Sequence, residues 1–104
     1  MVAAGRYNIT VHAAHEMLDE GFEDVDIEEA VGDDDPEVVE DYPDHLRGPC
    51  FLVLGWSTRL KSAYWRFPRC PLHILLTYGR GEPSVITVYE PNRGKWVTPR
   101  RRKR

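Results

Sequence analysis

Four histidines, two cysteines and a run of cations set among aromatic rings are the residues of this chain with chemistry to offer. His12 and Glu16 stand one helical turn apart, as do His15 and Asp19, so each imidazole can sit beside a carboxylate that favours its charged form. Such a pair serves acid-base work or a plain surface ion pair. Cys50, Cys70, His73 and His45 are residue types that zinc accepts, but Pro71 interrupts Cys70-x-x-His73 and the other thiol is 20 residues away. Buried or idle thiols fit that spacing better, and neither metal nor cofactor is called for. From Ser57 to Pro71, Arg59, Lys61, Arg66 and Arg69 interleave with Tyr64, Trp65 and Phe67. Cations can neutralise phosphates while flat rings stack on unpaired bases, which is the composition of a nucleic-acid contact. A hairpin with its rings on the core and its charges in water has the same composition. Walker, Rossmann, nucleophile-elbow and HExxH patterns do not occur in the sequence.

These groups depend on the elements that carry them. Asn8 or Thr10 can cap a helix over Val11 to Glu20, with Val11, Ala14 and Leu18 at helical spacing and Gly21 as the stop. A second, acid-loaded helix opens at Glu23 or Asp24, places Ile27, Ala30 and Val31 on one face, and closes at Gly32 before three aspartates and Pro36. Four β-branched or aromatic runs follow: Glu37 to Tyr42, Cys50 to Trp56, Leu72 to Tyr78 and Ser84 to Glu90. The order is α-α-β-β-β-β. Strand parity then sorts the faces. Leu72, Ile74, Leu76 and Tyr78 share one face of the third run, and His73, Leu75 and Thr77 the other. In the fourth, Ile86 and Val88 oppose Val85, Thr87 and Tyr89. If the all-apolar faces meet the helices, His73, Thr77, Thr87 and Tyr89 share an uncovered face, which is either a chemical surface or an ordinary solvated one.

With 104 residues and 41% hydrophobic content, the chain has the size and composition of one folded domain, read as residues 1–99 with a basic tail at 100–104. No apolar run approaches the ~20 residues that span a bilayer, and the start lacks the apolar stretch of a secretory signal, so a cytoplasmic protein with no membrane partner is expected. The net charge of -3 hides a division. Residues 1–45 hold 15 of the 17 acids and one base, whereas residues 46–104 hold 13 bases and two acids. Such poles hint at a polyanion or a charged protein partner. Arg100, Arg101, Arg102, Lys103 and Arg104 contain no apolar residue and predict a solvated tail.

His12-Ala13 with Met17 and Gly21, Asp41-Tyr42-Pro43, Gly48-Pro49-Cys50, Leu52 to Gly55, Pro71-Leu72-His73 and Ile86 to Pro91 with Trp96 together resemble a bacterial domain-of-unknown-function family of the DUF4258 type. The resemblance spans most of residues 8–96. That family is grouped by fold analogy with RelE-like toxins in the barnase, colicin and RelE ribonuclease group, and its members often neighbour zinc-finger antitoxins. The resemblance thus implies an α+β fold of two N-terminal helices on a four-stranded antiparallel sheet. It also implies a metal-independent endoribonuclease acting on RNA, including ribosome-associated mRNA, restrained by an antitoxin. On that reading His73, Tyr89 and His12 are the catalytic candidates, and Arg47, Arg59, Lys61, Trp65, Arg66 and Arg69 the RNA contacts. The alternative is a non-catalytic protein- or RNA-interaction module of the same fold. Glu16 and Glu20 depart from the family's helix, where arginines stand. A carboxylate there repels a phosphate that an arginine would clamp.

Overall fold

Thr10 both starts the first helix and fastens it to the sheet. In this computed structural model, which describes residues 7–32, 37–46, 48–77 and 82–103, its hydroxyl accepts from the Ala13 N–H at 3.1 Å and donates to the Ile86 carbonyl at 3.0 Å. Just before it lies the two-residue strand β1, Asn8–Ile9. Helix α1, Val11–Glu20, ends at Gly21, whose φ of 75° is a left-handed stop open to a residue without Cβ. Helix α2, Asp24–Gly32, is capped from within, because the Asp26 carboxylate accepts from the Glu23 N–H at 2.8 Å. Strands β2 (Glu37–Tyr42), β3 (Cys50–Ser57), β4 (Cys70–Thr77) and β5 (Ser84–Tyr89) follow, then the short β6 (Trp96–Thr98) and β7 (Arg101–Arg102).

The architecture is α+β with a mixed five-stranded sheet in the order β1-β5-β4-β3-β2. Strands β2 to β5 are antiparallel neighbours, as the sequence suggests, but the four-stranded antiparallel expectation is corrected by β1, which lies parallel to β5. The chain must run along the free edge of β5 to reach α1, and Thr10 N–H bonds the Val85 carbonyl on the way at 3.1 Å. Two residues carry no period that a sequence could reveal.

One sheet face is hydrocarbon. Val53, Leu72, Ile74, Leu76, Val85 and Val88 pack there against Ala13, Met17, Phe22, Ile27 and Ala30. Gly55 lets α2 lie directly on β3, since a Cβ at that position would stand 2.2 Å from the Ala30 carbonyl oxygen. The parity expected for β5 is corrected by a bulge. Leu75 pairs Thr87 while Leu76 pairs Val85, so Ile86 is the extra residue and Val85 joins Val88 on the helix side. Helix α1 is also turned from its expected face. Ala13 and Met17 are buried, whereas Val11 and Leu18 are 75% and 81% exposed.

The other face carries rows of paired residues that include Glu37, Leu54, His73 and Tyr89, and then Glu40, Leu52, Leu75 and Thr87. The antiparallel pair β6–β7 folds over it. Residues 100–103 are exposed, as a solvated tail would be, but they are not loose: Arg100 reaches Glu37 at 2.7 and 2.8 Å, and Arg102 reaches Glu40 at 2.9 and 3.0 Å. Two-donor guanidinium forks meet carboxylates one row apart on β2, and this holds the basic segment down. Arg47, Tyr78 and Arg104, named in the sequence analysis, lie outside the described residues.

Candidate active groove

Antiparallel pairing of β4 with β5 sets His73 opposite Tyr89, and the parity of both strands turns the two rings away from the helices. They meet at 3.3 Å, Nδ1 to hydroxyl. On the ring's far side, Nε2 lies 2.6 Å from the Pro99 carbonyl oxygen. A carbonyl only accepts, so Nε2 carries the hydrogen and Nδ1 accepts from the Tyr89 hydroxyl. The Trp96 ring packs edge-on against His73 at 4.3 Å between centroids. The expected open surface around His73 is therefore corrected. The imidazole is 0% exposed, sealed by β6 and Pro99 and not by the helices. Burial pushes its pKa down to about 4, so the ring is neutral at neutral pH.

Tyr89 is only half-buried, and burial pushes its phenol up to about 12, keeping the proton in place. Grooves open on both sides of it. The first, about 360 Å³, lies toward α1 and is lined by Glu16, Glu20 and Glu90 besides Lys95 and Arg102. Burial and then Glu16 and Glu90 raise the Glu20 carboxyl above its usual range, the mark of acids crowded together. The second, about 300 Å³, is lined by Tyr42, His45, Leu52, Leu75, Thr87, Tyr89 and Arg102. It contains an imidazole, a guanidinium and two phenols and no carboxylate in its lining. Arg102 also lies 4.5 Å over the Trp96 ring, and its hydrogen bonds hold the Glu40 carboxyl below the usual range.

The other residues singled out from the sequence are scattered. His12 is exposed on α1, 3.5 Å from Glu16, and the structure does not bring it to His73. Glu16 instead caps the free edge of β5: one carboxylate oxygen accepts from the Thr87 hydroxyl and, at 2.9 Å, from the Val88 N–H. Arg59 is exposed but committed to partners within the protein. It pairs with the buried Asp26 and donates to the Gly21 carbonyl at 3.2 Å, while Ser57 donates to the same carboxylate at 3.0 Å. Burial alone would raise the Asp26 carboxyl, but the hydrogen bonds from Arg59, Glu23 and Ser57 hold it below its usual range. Lys61 and Arg66 are exposed beside a groove of about 510 Å³ that Trp65 also lines. The Trp65 indole N–H donates to the Pro91 carbonyl at 2.6 Å, its ring stacks on Phe67, and Arg93 lies over it at 5.2 Å. Arg69 sits 5.7 Å over Trp56. The loop and the turn after β5 thus form one cationic, aromatic rim.

Cys50 and Cys70 are buried at opposite ends of the β3–β4 ladder, opposite Thr77 and Ser57, so their residues cannot share a metal with His73. Among the described residues no His, Cys, Asp and Glu group is arranged to hold a metal ion, and no helix is long and apolar enough to cross a membrane. In the sequence Arg102 reads as tail and His45 only as a member of a zinc set, and nothing local pairs Glu37 with Arg100 or Glu40 with Arg102, which lie 63 and 62 positions apart.

No curated protein and no solved structure matches the chain. A family model matches residues 9–90, which takes in both helices and strands β2 to β5 and leaves the β6–β7 hairpin outside. The chain belongs to the family described as a domain of unknown function, DUF4258.

Proposed function

We propose that the chain acts on RNA as a metal-independent endoribonuclease of the RelE-like toxin kind, with its reacting groups in the Tyr42–His45–Tyr89–Arg102 groove. The observation that carries this is the convergence of an imidazole, a guanidinium and two phenols in one groove on the sheet face away from the helices. The two helices and the antiparallel run β2 to β5 support this reading, and the parallel β1 departs from the architecture that the family resemblance implies.

Cleavage begins when the ribose 2'-hydroxyl attacks the adjacent phosphorus. His45 takes the proton of that hydroxyl, Arg102 stabilises the charge gathering on the phosphoryl oxygens, and the Tyr89 O–H turns from His73 Nδ1 to give its proton to the departing 5'-oxygen. An alkoxide is a stronger base than a phenolate, so a phenol that stays protonated at neutral pH is still a competent donor. The products are a 2',3'-cyclic phosphate and a 5'-hydroxyl. His73 is a positioning residue here, since it fixes the Tyr89 hydroxyl from behind. Glu40 holds Arg102 until a phosphate replaces it. The acid-lined groove on the other side of Tyr89 repels the backbone and so directs it to the His45 side. Lys61, Arg66 and Arg93 on the rim supply phosphate contacts, and Trp65 a stacking surface.

The test is inducible expression in bacteria with RNA ends mapped. Wild type should arrest growth and leave 5'-hydroxyl ends, and Tyr89→Phe and His45→Ala should each lose both effects while still unfolding cooperatively in urea. Intact RNA with wild type overturns the reaction. RNA bound by wild type in a strongly salt-dependent way, yet uncut, would instead favour the RNA-interaction module, a reading supported by the sealing of His73 away from any substrate.

A further inference from the structure

Helix α1 carries an apolar stripe, Val11, Ala14 and Leu18, that the fold does not use. Thr10 and Glu16 fix the helix against the β5 edge and so bury Ala13 and Met17, which turns the stripe outward. Leu18 then overhangs a shallow groove of about 480 Å³ whose floor and walls are Ile9, Ala14, Met17 and Phe22. Its rim is Glu23 and Asp24, with Asp19 and Glu20 exposed on the same helix. Val25, 57% exposed, follows on the first turn of α2. An exposed stripe at i, i+3 and i+7 beside an apolar groove has the form of a surface that receives another helix.

The charge around it selects the occupant. Fifteen acids and one base lie within residues 1–45, and the charged residues lining the groove are both acids. Two copies of this chain meeting here would set those acids against each other. An anionic lipid surface would be repelled. The chain's own basic segment, 100–104, has no apolar residue to enter the groove, and its Arg100 and Arg102 are tied to β2. We infer that the α1 groove docks an amphipathic helix of a partner protein, with apolar anchors one turn apart and lysines or arginines along their flanks. This surface lies on α1, apart from the groove at Tyr89, and does not depend on the reaction proposed there.

The test uses the full chain and three fluorescent synthetic peptides of about 16 residues, long enough for four helical turns. One has leucines at i, i+4, i+7 and i+11 flanked by lysines, the second replaces lysine with glutamate, and the third scrambles the first. By anisotropy at about 0.1 M salt, the patterned lysine peptide should bind, and the other two should bind at least about tenfold more weakly. Leu18→Asp should lower affinity by about the same factor without changing the melting temperature, as its exposure implies, and Asp24→Lys should lower it further. Equal binding of the patterned and scrambled lysine peptides, or none of the patterned one, overturns the inference. So does a sedimenting dimer, or binding to phosphatidylglycerol vesicles, that Leu18→Asp abolishes.

Discussion

The two faces of the central sheet are closed by different physics. On the helix side, Ile27, Leu72, Ile74, Val85 and Val88 are essentially removed from water, and the contact is hydrocarbon on hydrocarbon. On the hairpin side, the cover is three residues of β6 and two of β7, held by a histidine ring, a backbone carbonyl, a guanidinium over an indole and two Arg–Glu forks. Apolar burial is non-directional and strong per unit area, while exposed ion pairs are weak and salt-sensitive. The helix side therefore carries the stability of the domain. The hairpin side can carry polar groups, and what its cover keeps from water is a smaller set, chiefly His73, Leu54 and Trp96.

Removing matched groups from each face should expose this inequality. The largest effect belongs to Ile74→Ala, which empties the centre of the helix side and should cost about 4 kcal/mol in urea unfolding. Next comes the pH dependence that His73 creates. The unfolded chain protonates this ring near its ordinary value of 6.5, but the folded chain only near 4. The neutral ring's contribution is thus complete above pH 6.5 and is lost as the pH falls toward 4, a total of roughly 3 kcal/mol. Glu37, Glu40 and Asp26 have lowered values, so their contributions persist through that interval and fail only below the ordinary carboxylate range. Urea curves between about pH 7 and 5 should slope for wild type and flatten for His73→Asn. Parallel slopes would show that His73 takes up its proton in the folded protein as readily as in the unfolded one.

What local residues decide was legible in the sequence on both sides of the sheet, and what distant partners decide was not. Both helices and the places of β2 to β5 follow from Thr10, Gly21, the acids at 23 and 24, and runs of β-branched residues, all of which act locally, although β4 begins two residues before its apolar run, at Cys70. The meeting of His73 and Tyr89 follows from parity, because alternation in β4 survives unbroken from Leu72 to Leu76. Parity alone sets Val85 on the wrong face, because the bulge at Ile86 shifts it by one residue and leaves no trace in the consecutive apolar pair Val85-Ile86. The face of α1 was misread for another reason. Periodicity marks Val11, Ala14 and Leu18 as a stripe but does not say what it will touch, and the hydrogen bonds of Glu16 to Thr87 and Val88, seventy residues on, decide the rotation. The hairpin was unreadable in the same way. Arg100 and Arg102 look like a solvated run until β2 places Glu37 and Glu40 beneath them.

The smallest effects test the cover itself. Arg102→Ala removes both the fork to Glu40 and the cation over Trp96, and should cost about 1 kcal/mol after allowance for a guanidinium that is half in water. Arg100→Ala loses only an exposed pair with Glu37 and should cost less than about 0.5 kcal/mol, shrinking further in high salt. Neither change touches the helix side, so neither should alter the denaturant slope of global unfolding. Both should alter access to His73. Diethylpyrocarbonate acylates an imidazole nitrogen that bears a free lone pair, and the only such nitrogen of His73 is Nδ1, facing Tyr89 beneath Trp96. Mass spectrometry should find His73 unmodified in wild type, slowly modified in Arg102→Ala, and slower still in Arg100→Ala. If Arg102→Ala destabilised the protein as much as Ile74→Ala, the hairpin would be part of the core and the inequality between the faces would be gone. If it melted like wild type and left His73 inert, Trp96 and Pro99 would hold the cover without the ion pairs. Between those limits the order Ile74, His73, Arg102, Arg100 measures how far each group depends on exclusion from water.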